Sequence, residues 1–133
     1  MTRKKLGIVM DPINKIKPYK DTSLAMLLEA QQRDYECYYL EPENIWLQDG
    51  LTWGRMHRIH VKDDNDHWFD LEEAEEQPLV ELDILLMRKD PPFNMRYIYL
   101  TYLLEQAEHK GLFVVNKPAS LRDANEKLFT VWF

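Results

Sequence analysis

Apolar and polar positions fall in blocks along this chain, and the period changes from one block to the next. "KLGIVM", residues 5–10, is a short, nearly continuous apolar run of the kind used by strands buried on both faces, and it stops at Asp11-Pro12. In "DTSLAMLLEAQQRD" the capping residues Asp21, Thr22 and Ser23 precede Leu24, Leu27 and Leu28 at helical spacing. "YECYYL" reads as a second strand. Residues 45–61, "IWLQDGLTWGRMHRIHV", put Asp49-Gly50 between two apolar-polar segments, which predicts a β-hairpin whose second arm alternates. "DILLM" is again a strand, and "NMRYIYLTYLLEQAEHKG" is a helix opened by Asn94 and closed by Lys110-Gly111. "LFVVN" is the next strand, and "SLRDANEKLFTVWF" begins a helix in which Asp123 and Glu126 have capping-box spacing. Between hairpin and "DILLM" lies "DDNDHWFDLEEAEEQP", residues 63–78, with eight acids and no Lys or Arg. It reads as a solvated connector or an exposed short helix, with Trp68, Phe69 and Leu71 tucked underneath.

This order predicts an α/β fold with a mainly parallel sheet flanked by helices, right-handed crossovers and an inserted β-hairpin. Ligands of such open sheets collect at the carboxyl ends of the strands. Those ends are "MDPINKIKPYKD", "MRKDPPF" and "VNKPASLRD", and all three combine charged or amide side chains with proline. Proline fixes its own φ and biases the preceding residue to extended geometry, so Asp11, Asp90 and Lys117 are expected to project from defined backbone at the rim. The ten residues 11–20 are expected to lack regular structure, with mobility across residues 12–20.

Composition narrows the partners. A chain of 133 residues, 45% apolar and 30% charged, has the size of one domain and the balance of a soluble globular protein. Cys37 is the single cysteine, so no internal disulfide forms, and its place between Glu36 and Tyr38 reads as a small strand residue. No apolar run is long enough for a signal-peptide core or a membrane span, and the expected location is the cytoplasm. The net charge of -6 argues against nucleic acid as the main partner. Residues 1–20 nonetheless carry six basic side chains against Asp11 alone, a balance of +5, which leaves -11 on the other 113 residues. That end reads either as a local anion-attracting patch or as a solvated flank.

Several catalytic classes lose support. The four glycines, Gly7, Gly50, Gly54 and Gly111, have the wrong spacing for a dinucleotide fingerprint or a P-loop. His57, His60 and His67, with Asp63 nearby, could suggest a metal site, but His57 and His60 are separated by an odd number on a strand and face opposite sides, so the three read as exposed histidines. Ser23 and Ser120 lack a nucleophile elbow. Tyr97, Tyr99, Tyr102 and Phe93 read as packing residues. The strongest local pair is Arg88 with Asp90, on one side if the strand continues. Arg can hold a carboxylate and Asp an ammonium, so the pair suits a zwitterion; equally, it can be an ion pair that pins the loop. Asp11 at the end of the first strand invites the same comparison.

The last residues, Val131, Trp132 and Phe133, lack a glycine stop, a basic last turn or a polar tail. Leaving them in water forgoes about 1.5–3 kcal/mol for each large group, so the chain is expected to be cut within a larger protein whose remainder packs there.

Taken together, "KLGIVMDP", "DTSLAMLLEAQ", "LLMRKDPPF" and "VVNKPASLRDANEKLFTVWF" resemble the amino-terminal domain of bacterial glutathione synthetase. The resemblance covers essentially the whole chain, is weakest from about residue 41 to 78, and is most specific at "MRKDPPF" and "NKPASLRDANEKLF". It implies a Rossmann-like pre-ATP-grasp domain over residues 1–122, with 123–133 as the truncated start of an ATP-grasp region. It also implies ligation of γ-glutamylcysteine to glycine with ATP and magnesium through an acyl phosphate, in a homo-oligomer. By resemblance Asp11, Ser23, Arg88 and Asp90 are candidates for lining the dipeptide site, and Lys127 for contacting ATP phosphates. The missing ATP-grasp module would supply the rest of the ATP and Mg2+ machinery, so the 133 residues alone are expected to be inactive and to bind no cofactor. Two rivals remain: a non-catalytic, flavodoxin-like α/β binding or interaction domain, and the amino-terminal domain of another ATP-grasp ligase, such as a dipeptide ligase.

Overall fold

The computed structural model describes residues 3–88 and 95–115. Four strands form its parallel centre: β1 (Lys5–Val9), β2 (Glu36–Leu40), β7 (Ile84–Met87) and β8 (Phe113–Val115), in spatial order β2-β1-β7-β8. Helix α1 (Thr22–Gln32) connects β1 to β2, and α2 (Met95–His109) lies between β7 and β8. The expected α/β sheet flanked by helices is present. The inserted hairpin is too, as β3 (Ile45–Gln48) and β4 (Leu51–Val61), and β4 pairs antiparallel with β2. Asp49 and Gly50 both have positive φ, 51° and 78°, which a two-residue turn matching the strand twist requires.

The acidic stretch departs from its expected form. It contains no helix, and its irregular segments are interrupted by two short strands, β5 (Phe69–Leu71) and β6 (Glu75–Pro78), that both pair antiparallel with β4. Its charges suit exposed strands, because acidic side chains and Pro78 discourage further edge pairing. Trp68 and Phe69 are half-buried as expected, whereas Leu71 is exposed.

Strand alternation sorts the core into two layers. Leu6 and Ile8 of β1, Cys37 and Tyr39 of β2, and Ile84 and Leu86 of β7 pack with Leu24, Leu27 and Ala30 of α1. Val9, Tyr38, Leu40, Leu85 and Met87 face the other way, toward Leu100, Leu103, Leu104 and Ala107 of α2. The same parity continues one residue past β7 and decides which side Arg88 takes. The hairpin is tied to α2 by the buried Thr52, whose hydroxyl donates to Leu103 O at 2.7 Å, and by Gln106, whose Nε2 donates to Gly50 O at 2.6 Å.

The start of α1 and the end of α2 are as their sequences suggest, while Asn94, expected to open α2, lies outside the described residues. Asp21 caps α1, its Oδ1 accepting from Leu24 N at 2.9 Å. After α2, Gly111 has φ 111°, and Leu112 N reaches back to Ala107 O at 3.2 Å while its side chain enters the core. The segment after Asp11 is more ordered than its composition suggests, forming two single 3-10 turns, Ile13–Lys15 and Pro18–Lys20.

Candidate functional site

The site is built at the carboxyl ends of β1 and β7. Their ladder reaches Val9 opposite Met87, and Arg88 N extends it by donating to Val9 O at 2.7 Å. Met10 N continues the pairing on the other side, to Leu40 O at 3.1 Å. Asp11 and Arg88 therefore stand just beyond the last rungs of adjacent strands. Arg88 shares the parity of Ile84 and Leu86, which sends its side chain toward α1. There its Nε donates to Ser23 Oγ at 3.2 Å, using one of the five N–H groups of the guanidinium. Ser23 is 6% exposed and sits in the first turn of α1, two residues after the Asp21 cap.

Of the expected residues, Ser23 and Arg88 are thus brought into contact, and Asp11 stands at the end of the strand next to that of Arg88. Asp90 and Lys127 lie outside the described residues, as does Lys117. The half-buried Asp11 has polar interactions of its own, so it is a structured rim residue. A guanidinium held by a buried hydroxyl is fixed in orientation and suits planar, two-point capture of a carboxylate.

A second group of residues, not anticipated as functional, holds the rim loop. Ile13 is buried, and its N–H donates to the Tyr39 hydroxyl at 3.1 Å while its carbonyl accepts from Trp68 Nε1 at 3.0 Å. Tyr39 in turn donates to Glu41 Oε2 at 2.8 Å. Burial pushes the Tyr39 hydroxyl above the usual phenol range, so it remains a proton donor. The only sequence signal for this clamp was a tryptophan in a stretch otherwise rich in acids.

An open depression of about 390 Å³ lies beside the start of α1, lined by Tyr19, Lys20, Asp21, Thr22 and Asp63 among others. Neither Ser23 nor Arg88 lines it, so it is distinct from the rim pair. His57 and His60 behave as polar residues of β4, their Nδ1 and Nε2 lying 2.8 and 2.6 Å from O and Oε2 of Glu72, and His67, ahead of β5, pairs with Asp70 at 2.9 Å. Among the described residues no three His, Cys, Asp or Glu side chains converge as metal ligands. No helix among them is long and apolar enough to cross a membrane.

Comparison with known proteins supplies what geometry alone does not. Residues 5–122 match the family model of the prokaryotic glutathione synthetase N-terminal domain. The chain belongs to this family. It is 64% identical over 129 residues to a glutathione synthetase of Coxiella burnetii, 56% to one of Shewanella oneidensis and 54% to one of Escherichia coli K12. Each alignment takes in 97% of this chain but only 40–41% of the relative, so the chain spans about two-fifths of their length. It corresponds to the N-terminal domain of these glutathione synthetases. Asp11, Ser23, Arg88 and Asp90 fall inside the family match, and Lys127 falls beyond it.

Proposed function

We propose that the full-length protein is a cytoplasmic, homo-oligomeric glutathione synthetase and that this domain forms one wall of its dipeptide site. The reaction joins the cysteine carboxylate of γ-glutamylcysteine to the amine of glycine, with ATP hydrolysis driving the condensation and Mg2+ required. The observation that carries this reading is the family match over residues 5–122, supported by relatives bearing that name at up to 64% identity. The rim fits the role, because a charged dipeptide with free carboxylates is the kind of ligand an oriented arginine can hold. We assign Arg88, Ser23 and Asp11 to that wall, and by the family resemblance we assign Asp90 to dipeptide binding and Lys127 to binding of the ATP phosphates. The described residues do not fit the metal, since they offer no converging set of acidic ligands. The ATP and Mg2+ machinery therefore belongs to an ATP-grasp module outside these residues, and no step of phosphoryl transfer is assigned to the rim. The outward stripe of Met95, Ile98, Tyr99 and Tyr102 on α2 supports an assembled protein, because contiguous exposed apolar surface of this kind marks packing against other protein.

The test is a turnover assay on the full-length protein with γ-glutamylcysteine, glycine, ATP and Mg2+. Glutathione formation that needs all four is expected, and none from the 133-residue chain alone. Absence of product from the full-length protein overturns the reading.

A further inference from the structure

The rim loop between β1 and α1 is held at its middle by two side chains from distant parts of the sequence. Ile13, 2% exposed, has both backbone groups engaged: its N–H by Tyr39 on β2, its carbonyl by Trp68 ahead of β5. These bonds span 26 and 55 residues. Local chemistry contributes less, since neither 3-10 turn has a side-chain cap; each is closed only by its own backbone, Lys15 N to Pro12 O at 3.0 Å and Lys20 N to Lys17 O at 3.1 Å. Trp68 is itself fixed. Its carbonyl accepts from Lys62 N at 3.0 Å just past β4, its ring contacts Phe69 at a centroid distance of 5.8 Å, and both rings pack against the α1-side core.

We propose that Trp68 is a positioning residue, which acts through Ile13 to set the rim loop and so tunes how tightly the site holds the γ-glutamyl dipeptide. The loop begins at Asp11 and carries Lys15, Lys17 and Lys20 on its exposed side. Its two ends are fixed by the β1 ladder and the Asp21 cap, so Ile13 decides where the segment between them lies. Removing the indole N–H leaves the Ile13 carbonyl without its donor and frees the middle of the loop that follows Asp11. This inference rests on the proposed synthetase reading for its ligand, but not for the clamp itself.

The experiment compares full-length wild type with Trp68→Phe, which keeps an aromatic ring and removes the donor, and with Tyr39→Phe, which releases the other side of Ile13. Trp46→Phe is the control, because its Nε1 bonds Gln48 on the exposed hairpin. Amide hydrogen exchange over residues 12–20 is expected to rise about tenfold in both clamp variants, the effect of losing about one buried hydrogen bond. KM for γ-glutamylcysteine is expected to rise about tenfold with kcat within about twofold, the pattern of lost uniform binding. A smaller folded fraction would lower apparent kcat and leave KM alone, so that result counts against the proposal. Unchanged loop exchange in Trp68→Phe also overturns it, as does an unchanged KM in an active enzyme. If wild type makes no glutathione, the synthetase reading fails and the dipeptide assignment with it, while the exchange arm still decides whether Trp68 holds the loop.

Discussion

Arg88 Nε and Ser23 Oγ meet at 3.2 Å across 65 residues of sequence, so the end of β7 and the first turn of α1 hold each other. The contact is a charge-assisted bond at the boundary of core and solvent, where it orients the guanidinium without burying it. It gives the two partners separable consequences. Ser23→Ala is expected to cost about 1 kcal/mol in urea unfolding of the full-length protein and to raise KM for the dipeptide only a few-fold. Arg88→Ala is expected to raise that KM roughly 10–100-fold, the value of a hydrogen bond to a charged group, and Arg88→Lys to recover only part of it because the planar fork is lost. Steady-state kinetics with each substrate varied in turn check both, and an unchanged KM in Arg88→Ala removes Arg88 from the dipeptide site.

Gly7 and Gly54 are places where the α2-side core comes too close for a side chain. A Cβ on Gly7 would lie 2.6 Å from Leu82 Cδ1 and 2.9 Å from Leu85 Cδ1, and one on Gly54 would lie 2.7 Å from Leu40 Cδ2 and 2.8 Å from Leu79 Cδ2. These leucines are all buried in one cluster, so their ends can move only by displacing neighbours. Gly7→Ala and Gly54→Ala are each expected to destabilise by about 1–3 kcal/mol in denaturant titrations. Gly50→Ala meets no atom within 4 Å, and its loss, about 1 kcal/mol, comes from its φ of 78° alone.

The central sheet was legible because its information is local. A strand buried on both faces must be apolar throughout, which "KLGIVM" and "DILLM" state directly, and Asp49-Gly50 can scarcely be anything but a tight turn. The strands β5 and β6 were not legible, because their pairing partner is β4 and their outward side chains are acidic; an edge strand need carry no apolar run of its own. The rim was half legible. Proline-flanked charges at strand ends led to Asp11 and Arg88, and strand parity explains why Arg88 meets α1. The Ile13 clamp was hidden, since it consists of two backbone groups meeting side chains 26 and 55 residues away, a relation that no local pattern encodes.

Alkaline pH is expected to weaken the fold through buried groups on β2, among them Cys37 and Tyr38 beside the Tyr39 described above. Burial raises the Cys37 thiol to about 12, and burial, followed by the neighbouring Glu36 carboxylate, raises the Tyr38 hydroxyl to about 12. From about pH 9 upward the unfolded chain releases protons that the folded chain still holds, so the slope of stability with pH is negative. The contribution is complete below about pH 9 and declines as pH approaches 12. The urea midpoint should therefore fall between about pH 8 and pH 11, and the fall should be shallower in Cys37→Ala. The same protonated, buried thiol should resist thiol reagents in the folded state at neutral pH.

The cap of α1 provides a test of whether the rim and the helix end form one unit. Asp21 has extended φ/ψ of -87° and 122°, its Oδ1 accepts from Leu24 N, and its carbonyl takes the first helical bond from Ala25 N at 3.2 Å. Asp21→Ala is expected to cost about 1 kcal/mol, and Asp21→Ser or Asp21→Asn to keep most of that stability. Because Ser23 lies within the turn that the cap secures, fraying there would also loosen its contact with Arg88. Asp21→Ala and Ser23→Ala should then be non-additive, with a coupling of about 0.5 kcal/mol or more in a double-mutant cycle. Strict additivity would mean that the Ser23–Arg88 contact holds the turn in place without help from the cap, and that the rim is assembled from β7 alone.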